Sequence, residues 1–390
     1  MKWDGPGPGE RLLVLAPHPD DETLAAGGLL QRALARGGAA RVVFATDGEN
    51  NPWTQRLVER RVRIRPEDSA RFGRRRRQEA IAALAALGLQ PEDAVFLGLP
   101  DQAITDLLLF GDPLGVDRLA SLFADWKPTL VVLPSPFDLH PDHSALAVLA
   151  RLALARLAQA RAPQGQSGGE RAPRVLSYIV HRTAALWSSK ATLRSEEAAR
   201  RAGETAEDAD AGAAEADVAR FEPSPTEKDR KRRAILCHAT QLTVHRRKFL
   251  AFADREEIFF PDASAAARDG RHPVRRAVLD GTGLRLHLKL RPRPGAFGPS
   301  TLHLAAGGEG ARQSLSLDLR WRRGRSPVTD ALTMQSRGLA SLQGDRRGGT
   351  VEVPRASLPG SGPLFVKLKR RFGFFDEGGW LEVDGPKDEA

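Results

Sequence analysis

Two short apolar runs, Leu12 to Ala16 and Leu130 to Leu133, each lead into a compact group of histidines and carboxylates. The first group is His18, Pro19, Asp20, Asp21 and Glu22, with Pro17 before it. The second is His140, Pro141, Asp142 and His143. Runs this short and this rich in leucine and valine suit strands buried on both faces, as in a parallel sheet. In open parallel sheets, ligands bind outside the carboxyl ends of the strands. The chain is therefore expected to be an α/β protein with both groups at one edge of its sheet.

Further signals between residues 11 and 150 agree. Arg11 to Ala16, Arg41 to Ala45, Val95 to Leu97 and Thr129 to Leu133 read as strands. Leu24 to Arg36, Arg74 to Leu87 and Gly115 to Trp126 read as helices, the first two stopped by Gly37-Gly38 and Gly88. Such alternation predicts a Rossmann-like, mostly parallel sheet with helices on both faces. Lys228 to Phe252 is a helical pattern, and the α/β region closes near Phe260. From Arg271 the period changes to two: Leu284, Leu286, Leu288 and Leu290; Leu315, Leu317, Leu319 and Trp321; Leu364, Val366 and Leu368. That pattern predicts an antiparallel β-sandwich with one wet face. Two domains are expected, 1–262 and 271–390. The Gly/Pro/Gln-rich stretch 162–173 reads as a flexible loop. The stretch 195–227 holds ten acidic residues and almost no large apolar side chain, so disorder or a loose helix is expected there.

The single cysteine, Cys237, excludes an intramolecular disulfide and a thiolate zinc cage. No apolar run is long enough to span a bilayer, and Met1 to Glu10 lacks a secretion-signal pattern, which predicts a cytoplasmic protein. The net charge of +10 is compatible with nucleic acid, an anionic membrane surface or acidic substrates, but no nucleic-acid module signature is present. Nine arginines between Arg60 and Arg77 form the densest basic stretch, a solvated face or an electrostatic rim near the site.

Hydrolytic zinc sites keep three protein ligands and a position for water. His18 and Asp21 can reach one ion where a strand turns into a helix, with His143 as third ligand from a separate strand end. Asp20 remains beside the metal as a carboxylate able to take a proton from water. His140 is suited to hydrogen-bond a developing oxyanion or protonate a leaving amine, and Asp142 to orient an imidazole. A purely structural reading also exists: acidic residues at a helix start and His-Pro-Asp turn chemistry explain much of either group alone. They do not explain histidines at two strand ends.

The paired motifs resemble the PIG-L/LmbE family of zinc-dependent N-acetylglucosaminyl deacetylases. Thr46-Asp47-Gly48-Glu49, Arg76-Arg77-Gln78-Glu79 with Ala83 and Leu87-Gly88, Phe96 to Asp101, and His238 to Gln241 resemble further family segments, over roughly residues 11–260. The resemblance implies zinc, or iron(II), held by His18, Asp21 and His143, with Asp20 as general base and His140 stabilising the transition state. Arg76 would bind a substrate hydroxyl or phosphate, unless it pairs with Glu79 or Asp101. Asp47, Glu49 and Asn51 would hold sugar hydroxyls. Phe137 and Asp138 stand where some members carry a tyrosine, and Tyr178 is the only tyrosine of the chain. The expected activity is removal of an N-acetyl group from an amino sugar or its conjugate, a small-molecule partner. The alternatives are a zinc amidase acting on a non-sugar amide, and an inactive scaffold binding glycan through Trp321 and Trp380, although both tryptophans lie within alternating strands and are expected to pack in the core. Nucleic-acid binding rests on charge alone, and a homo-oligomer stays open.

Overall fold

The computed structural model describes residues 2–110, 114–161, 171–181, 218–261, 272–290, 300–307, 313–345, 347–359, 362–369 and 379–383. The chain divides into two compact units. The first comprises Met1–Ala103, Trp126–Asp138 and Gly169–Ala267; the second comprises Ile104–Asp125, Leu139–Gly168 and Arg268–Ala390.

The first unit is a seven-stranded sheet built from β1 (Arg11–Ala16), β2 (Ala39–Thr46), β3 (Ala94–Leu99), β4 (Leu130–Pro134), β5 (Arg174–Tyr178), β6 (Ala219–Phe221) and β7 (Glu257–Pro261). Its order is β3-β2-β1-β4-β5-β7-β6. The first five strands run parallel, with Leu12, Leu13 and Val14 of β1 facing Leu130, Val131 and Val132 of β4. β6 and β7 close the sheet antiparallel. Every residue of β1 after Arg11 is buried, as a strand covered on both faces requires. Strand order reverses between β1 and β4, which makes that gap the topological switch point.

Helices α1 (Asp21–Ala35), α2 (Pro52–Glu59) and α3 (Pro66–Leu87) belong to this unit. The structure starts α3 eight positions before the expected Arg74. Pro66 takes the first turn, and Asp68 accepts the Arg65 N–H at 3.1 Å. The single helical pattern from Lys228 is two helices, α7 (Pro225–Cys237) and α8 (Ala239–Leu250), separated at His238, whose φ and ψ (−79°, 56°) are non-helical. The expectation of disorder over 195–227 fails for residues 218–227. Phe221 is buried edge-on against Trp3, and Ser224 and Glu227 form a capping box that starts α7. The rest of that stretch, and most of 162–173, lies outside the described residues.

Helix α1 is kinked at Ala26 (φ −137°, ψ 16°), which releases amides normally bonded within the helix. Glu257 of β7 accepts two of them, from Gly28 at 2.7 Å and Leu29 at 2.9 Å, and pairs with Lys231 of α7 at 2.6 Å. A Cβ on Gly28 would lie 2.7 Å from Pro223, so only glycine admits this approach.

The second unit contains α4 (Ile104–Phe110), α5 (Leu114–Trp126), α6 (Pro141–Arg161) and strands β8 (Val274–Leu279), β9 (Gly283–Lys289), β10 (Thr301–Ala306), β11 (Gln313–Asp318), β12 (Arg325–Asp330), β13 (Ser336–Asp345), β14 (Gly348–Pro354), β15 (Leu364–Lys369) and β16 (Leu381–Val383). The antiparallel β-rich region is as expected. Its strands form one continuous sheet, β16-β15-β10-β11-β12-β13-β14-β9-β8, with the two edge strands in contact. The alternation holds in β9, where Leu284, Leu286 and Leu288 are buried. In β15 it does not: Phe365 and Lys367 are buried along with Leu364, Val366 and Leu368, so both faces are covered. Trp321 leaves the β11 pattern for a 3-10 turn, and Trp380 is fully buried with the Lys367 amine 5.5 Å from its ring centre. Trp380 is therefore core, not half of a glycan-stacking platform. Among the described residues no helix is long and apolar enough to cross a membrane.

His303 on β10 is buried and faces Lys367 across the ladder; burial first, then Lys369 and Lys367, push its pKa down to about 4. It is neutral when folded but protonates near 6.5 when unfolded. The stability this withholds is absent above about pH 6.5 and grows as pH falls toward 4. We expect the unit to lose about 2 kcal/mol between about pH 7.5 and pH 5. The protection of β10 amides against hydrogen exchange should show that loss, and His303→Leu should largely abolish it. An equal acid loss in the variant would exonerate His303.

Candidate active site

β1 is followed by Pro17, whose carbonyl accepts both the backbone N–H and the hydroxyl of Thr46 at the end of β2, at 3.1 and 2.9 Å. This ties the two loops that follow. His18 is buried between two carboxylates: its Nδ1 lies 3.2 Å from Asp21 Oδ2, and its Nε2 lies 3.1 Å from Asp101 Oδ1. Asp101, beyond β3, is fixed in turn by the Asn50 N–H at 2.8 Å, and its own N–H donates to Glu49 at 2.9 Å. Burial alone would raise the Asp101 pKa; the His18 hydrogen bond and charge outweigh it and hold the carboxyl below its ordinary value. Burial raises Glu49.

Asp20 has φ 143° and ψ −31°, a conformation that costs a non-glycine residue about 1–3 kcal/mol. Three contacts hold it: its N–H donates to Glu22 Oε2 at 3.0 Å, its carbonyl accepts from Leu24 at 3.0 Å, and its carboxylate accepts from Arg76 at 3.1 Å. Burial raises its pKa to about 7 against the opposing charge of Arg76. Arg76 is itself buried and also donates to the carbonyls of Gly48 (2.8 Å) and Pro19 (2.9 Å). Its ionic partner is thus Asp20, not the expected Glu79 or Asp101. Glu79 instead accepts from the Thr240 hydroxyl at 2.6 Å. Glu22 is completely buried and lies 3.4 Å from His238 Nε2. Burial works against the charged imidazole, but the Glu22 contact outweighs it and raises the His238 pKa.

The remaining expected residues divide. Asn51 caps α2, its side-chain oxygen accepting from the Thr54 N–H at 3.2 Å, while Asp47 lies 3.5 Å from Arg77. After β4, Asp138 accepts the N–H groups of Val180 and His181 at 2.9 and 3.0 Å and lies 3.3 Å from the His181 ring. The Tyr178 hydroxyl donates to the Leu15 carbonyl at 2.8 Å, and burial lifts its pKa well above 10, so this phenol is a structural group. In the second unit, His140 and His143 open α6 with ring centres 5.1 Å apart. Asp142 is buried and accepts the Ile104 N–H at 3.1 Å; its own N–H donates to His140 Nδ1 at 3.3 Å.

Sequence reasoning missed Asp101 as the partner of His18, and Glu22 and His238 as the buried pair behind Asp20. The available signals were the third acid of the first cluster and the position of Asp101 just past a strand end.

In the first unit, a parallel sheet carries the buried His18, Asp21 and Asp101 group just beyond β1 and β3, at the end of the strands where such sheets bind ligands. Residues 13–154 match the family described as PIG-L: GlcNAc-PI de-N-acetylase. The chain is 35% identical over 147 residues to the 1D-myo-inositol 2-acetamido-2-deoxy-alpha-D-glucopyranoside deacetylase of Mycobacterium sp. (strain KMS), covering 34% of this chain and 46% of that protein. It thus spans about half the length of that relative. The Kribbella flavida protein of the same name is 27% identical over 278 residues, 65% of this chain and 90% of its own length. Among solved structures, a deacetylase of the teicoplanin biosynthesis pathway aligns over 64% of this chain and 97% of its own at 20% identity, with a TM-score of 0.44.

Proposed function

We propose that the chain is a metal-dependent deacetylase that hydrolyses the acetamide of a 2-acetamido-2-deoxyglucose-type amino sugar or its conjugate. The observation that carries the reading is the His18 environment at the switch point. Two ligand atoms on a tetrahedral ion at about 2.1 Å lie about 3.4 Å apart, and His18 Nδ1 and Asp21 Oδ2 are separated by 3.2 Å. Asp101 on the other ring nitrogen is the carboxylate that fixes the tautomer of a metal-binding imidazole. The donor set therefore suits a zinc or iron(II) ion.

His143 is the proposed third ligand. β4 lies beside β1 and leads to Asp138; His140 and His143 follow by two and five residues, within about 7 and 18 Å of extended chain. A divalent cation in such a site supplies a Lewis acid for the amide carbonyl and acidifies water. Asp20, raised to about 7 and aligned by Arg76 and Glu22, accepts the proton of the attacking water. His140 hydrogen-bonds the developing oxyanion or protonates the departing amine, and Asp142 orients it through the 3.3 Å contact. Acetate and a free amine result. Asp47, Glu49 and the Asn51 amide are proposed to face the sugar; Arg76, buried on Asp20 and on the Gly48 and Pro19 carbonyls, is proposed to act on the substrate only through Asp20.

The test is acetate release from free and conjugated N-acetylglucosamine. Chelation should abolish it and zinc or iron(II) restore it. Asp101→Asn should weaken metal affinity about 10–100-fold, read by competition with a chromophoric chelator independently of turnover. Acetate from simple acetamides but never from sugars would identify a different amidase. A protein that takes up no metal and releases no acetate would be a scaffold.

A further inference from the structure

We propose that α2 and the turn after it form a docking surface for an anionic lipid bilayer, whatever amide the site cleaves. Trp53 and Leu57 lie one helical turn apart on the same face of α2 and are 75% and 61% exposed. Val62, in the following turn, is 90% exposed. Three large apolar side chains projecting into water from one short segment mark a candidate interaction surface. The opposite face of α2 is committed to the fold: Thr54 and Gln55 are buried, and Asn51 caps the helix.

The turn is braced, not loose. Arg56 lies with its guanidinium carbon 5.2 Å over the Trp53 ring and donates from Nε to the Val62 carbonyl at 2.9 Å. Arg60, Arg61, Arg63 and Arg65 are exposed around these tips. Arg61 pairs with Asp68 at 2.8 Å, while Arg60, Arg63 and Arg65 form no ion pair among the described residues. The chemistry that satisfies both parts is an interface: apolar tips at the acyl boundary and guanidinium groups among lipid phosphates. A second copy of the chain would bring the same arginines together, and a nucleic acid offers nothing to aliphatic Leu57 and Val62. The segment directly follows the loop that carries Glu49 and Asn50, so docking would hold that rim close to the lipid surface.

Sedimentation of the full-length protein with vesicles of equal parts phosphatidylglycerol and phosphatidylcholine tests this. We expect binding to these vesicles, little to phosphatidylcholine alone, and release at about 0.5 M salt. Trp53→Ala/Leu57→Ser should weaken partitioning at least about tenfold. Arg60→Asn/Arg63→Gln should weaken it roughly twentyfold; asparagine tolerates the left-handed φ of 52° at Arg60. All four positions are exposed, so both variants should keep the wild-type circular dichroism. The proposal is overturned by absence of binding to anionic vesicles, or by unchanged partitioning of both variants. Tighter binding of a single-stranded oligonucleotide, or a Trp53-dependent dimer, would overturn it as well.

Discussion

Asp20→Asn should lower kcat for acetate release by about a thousandfold while the protein keeps its metal. Asparagine is the informative replacement because it tolerates the unusual backbone at this position, φ 143°, better than alanine. It also preserves a partner for Arg76, which would otherwise lie buried beside an empty space. The substitution removes the proton-accepting charge while keeping the shape and an acceptor oxygen for Arg76, so kcat should fall far more than KM changes. The measurement is a paired determination of metal content and steady-state kinetics. Loss of metal would make Asp20 a ligand, and activity within tenfold of wild type would remove it as the base.

The largest effect on stability is expected at Glu257. Its side chain and that of Lys231 are each about 1% exposed, and removing one member of a buried pair strands the other charge. Such losses cost about 3–5 kcal/mol. Glu257→Ala should reach the upper part of that range, because the Gly28 and Leu29 amides lose their acceptor at the same time. Lys231→Met should cost less, since the carboxylate retains both amides. Lys231→Met/Glu257→Ala should cost less than the two single losses combined, since no buried charge remains. Urea unfolding of the first unit, read by exchange of the Gly28 amide, measures all three. A cost below about 1 kcal/mol for Glu257→Ala would show that the pair is solvated in solution.

Where the sequence could be read and where it could not follows from the range of the interactions. β1, β2 and β4 are announced by local composition, because burial on both faces leaves few but aliphatic residues, and the first His-Asp group directly follows β1. The early start of α3 at Pro66 and the break at His238 depend on single capping and backbone choices that periodicity averages away. Asp101, Glu22 and His238 were harder still. Each acquires its role from a partner brought by tertiary structure: Asp101 meets His18 from another loop, and His238 meets Glu22 from the far side of the chain. The same limit applies to the β-rich region. Alternation revealed its strands, but Trp321 and Trp380 lie outside them, in a turn and in the core.

The bond from Gly28 to Glu257 joins positions 229 residues apart. A growing polypeptide must therefore emerge as far as the start of β7 before the helix bearing Asp21 acquires its second support. Until then the kinked segment has no acceptor for its released amides. A fragment restricted to residues 13–154 would contain every proposed metal ligand and the proposed base, yet would be born without the clasp that keeps them in place.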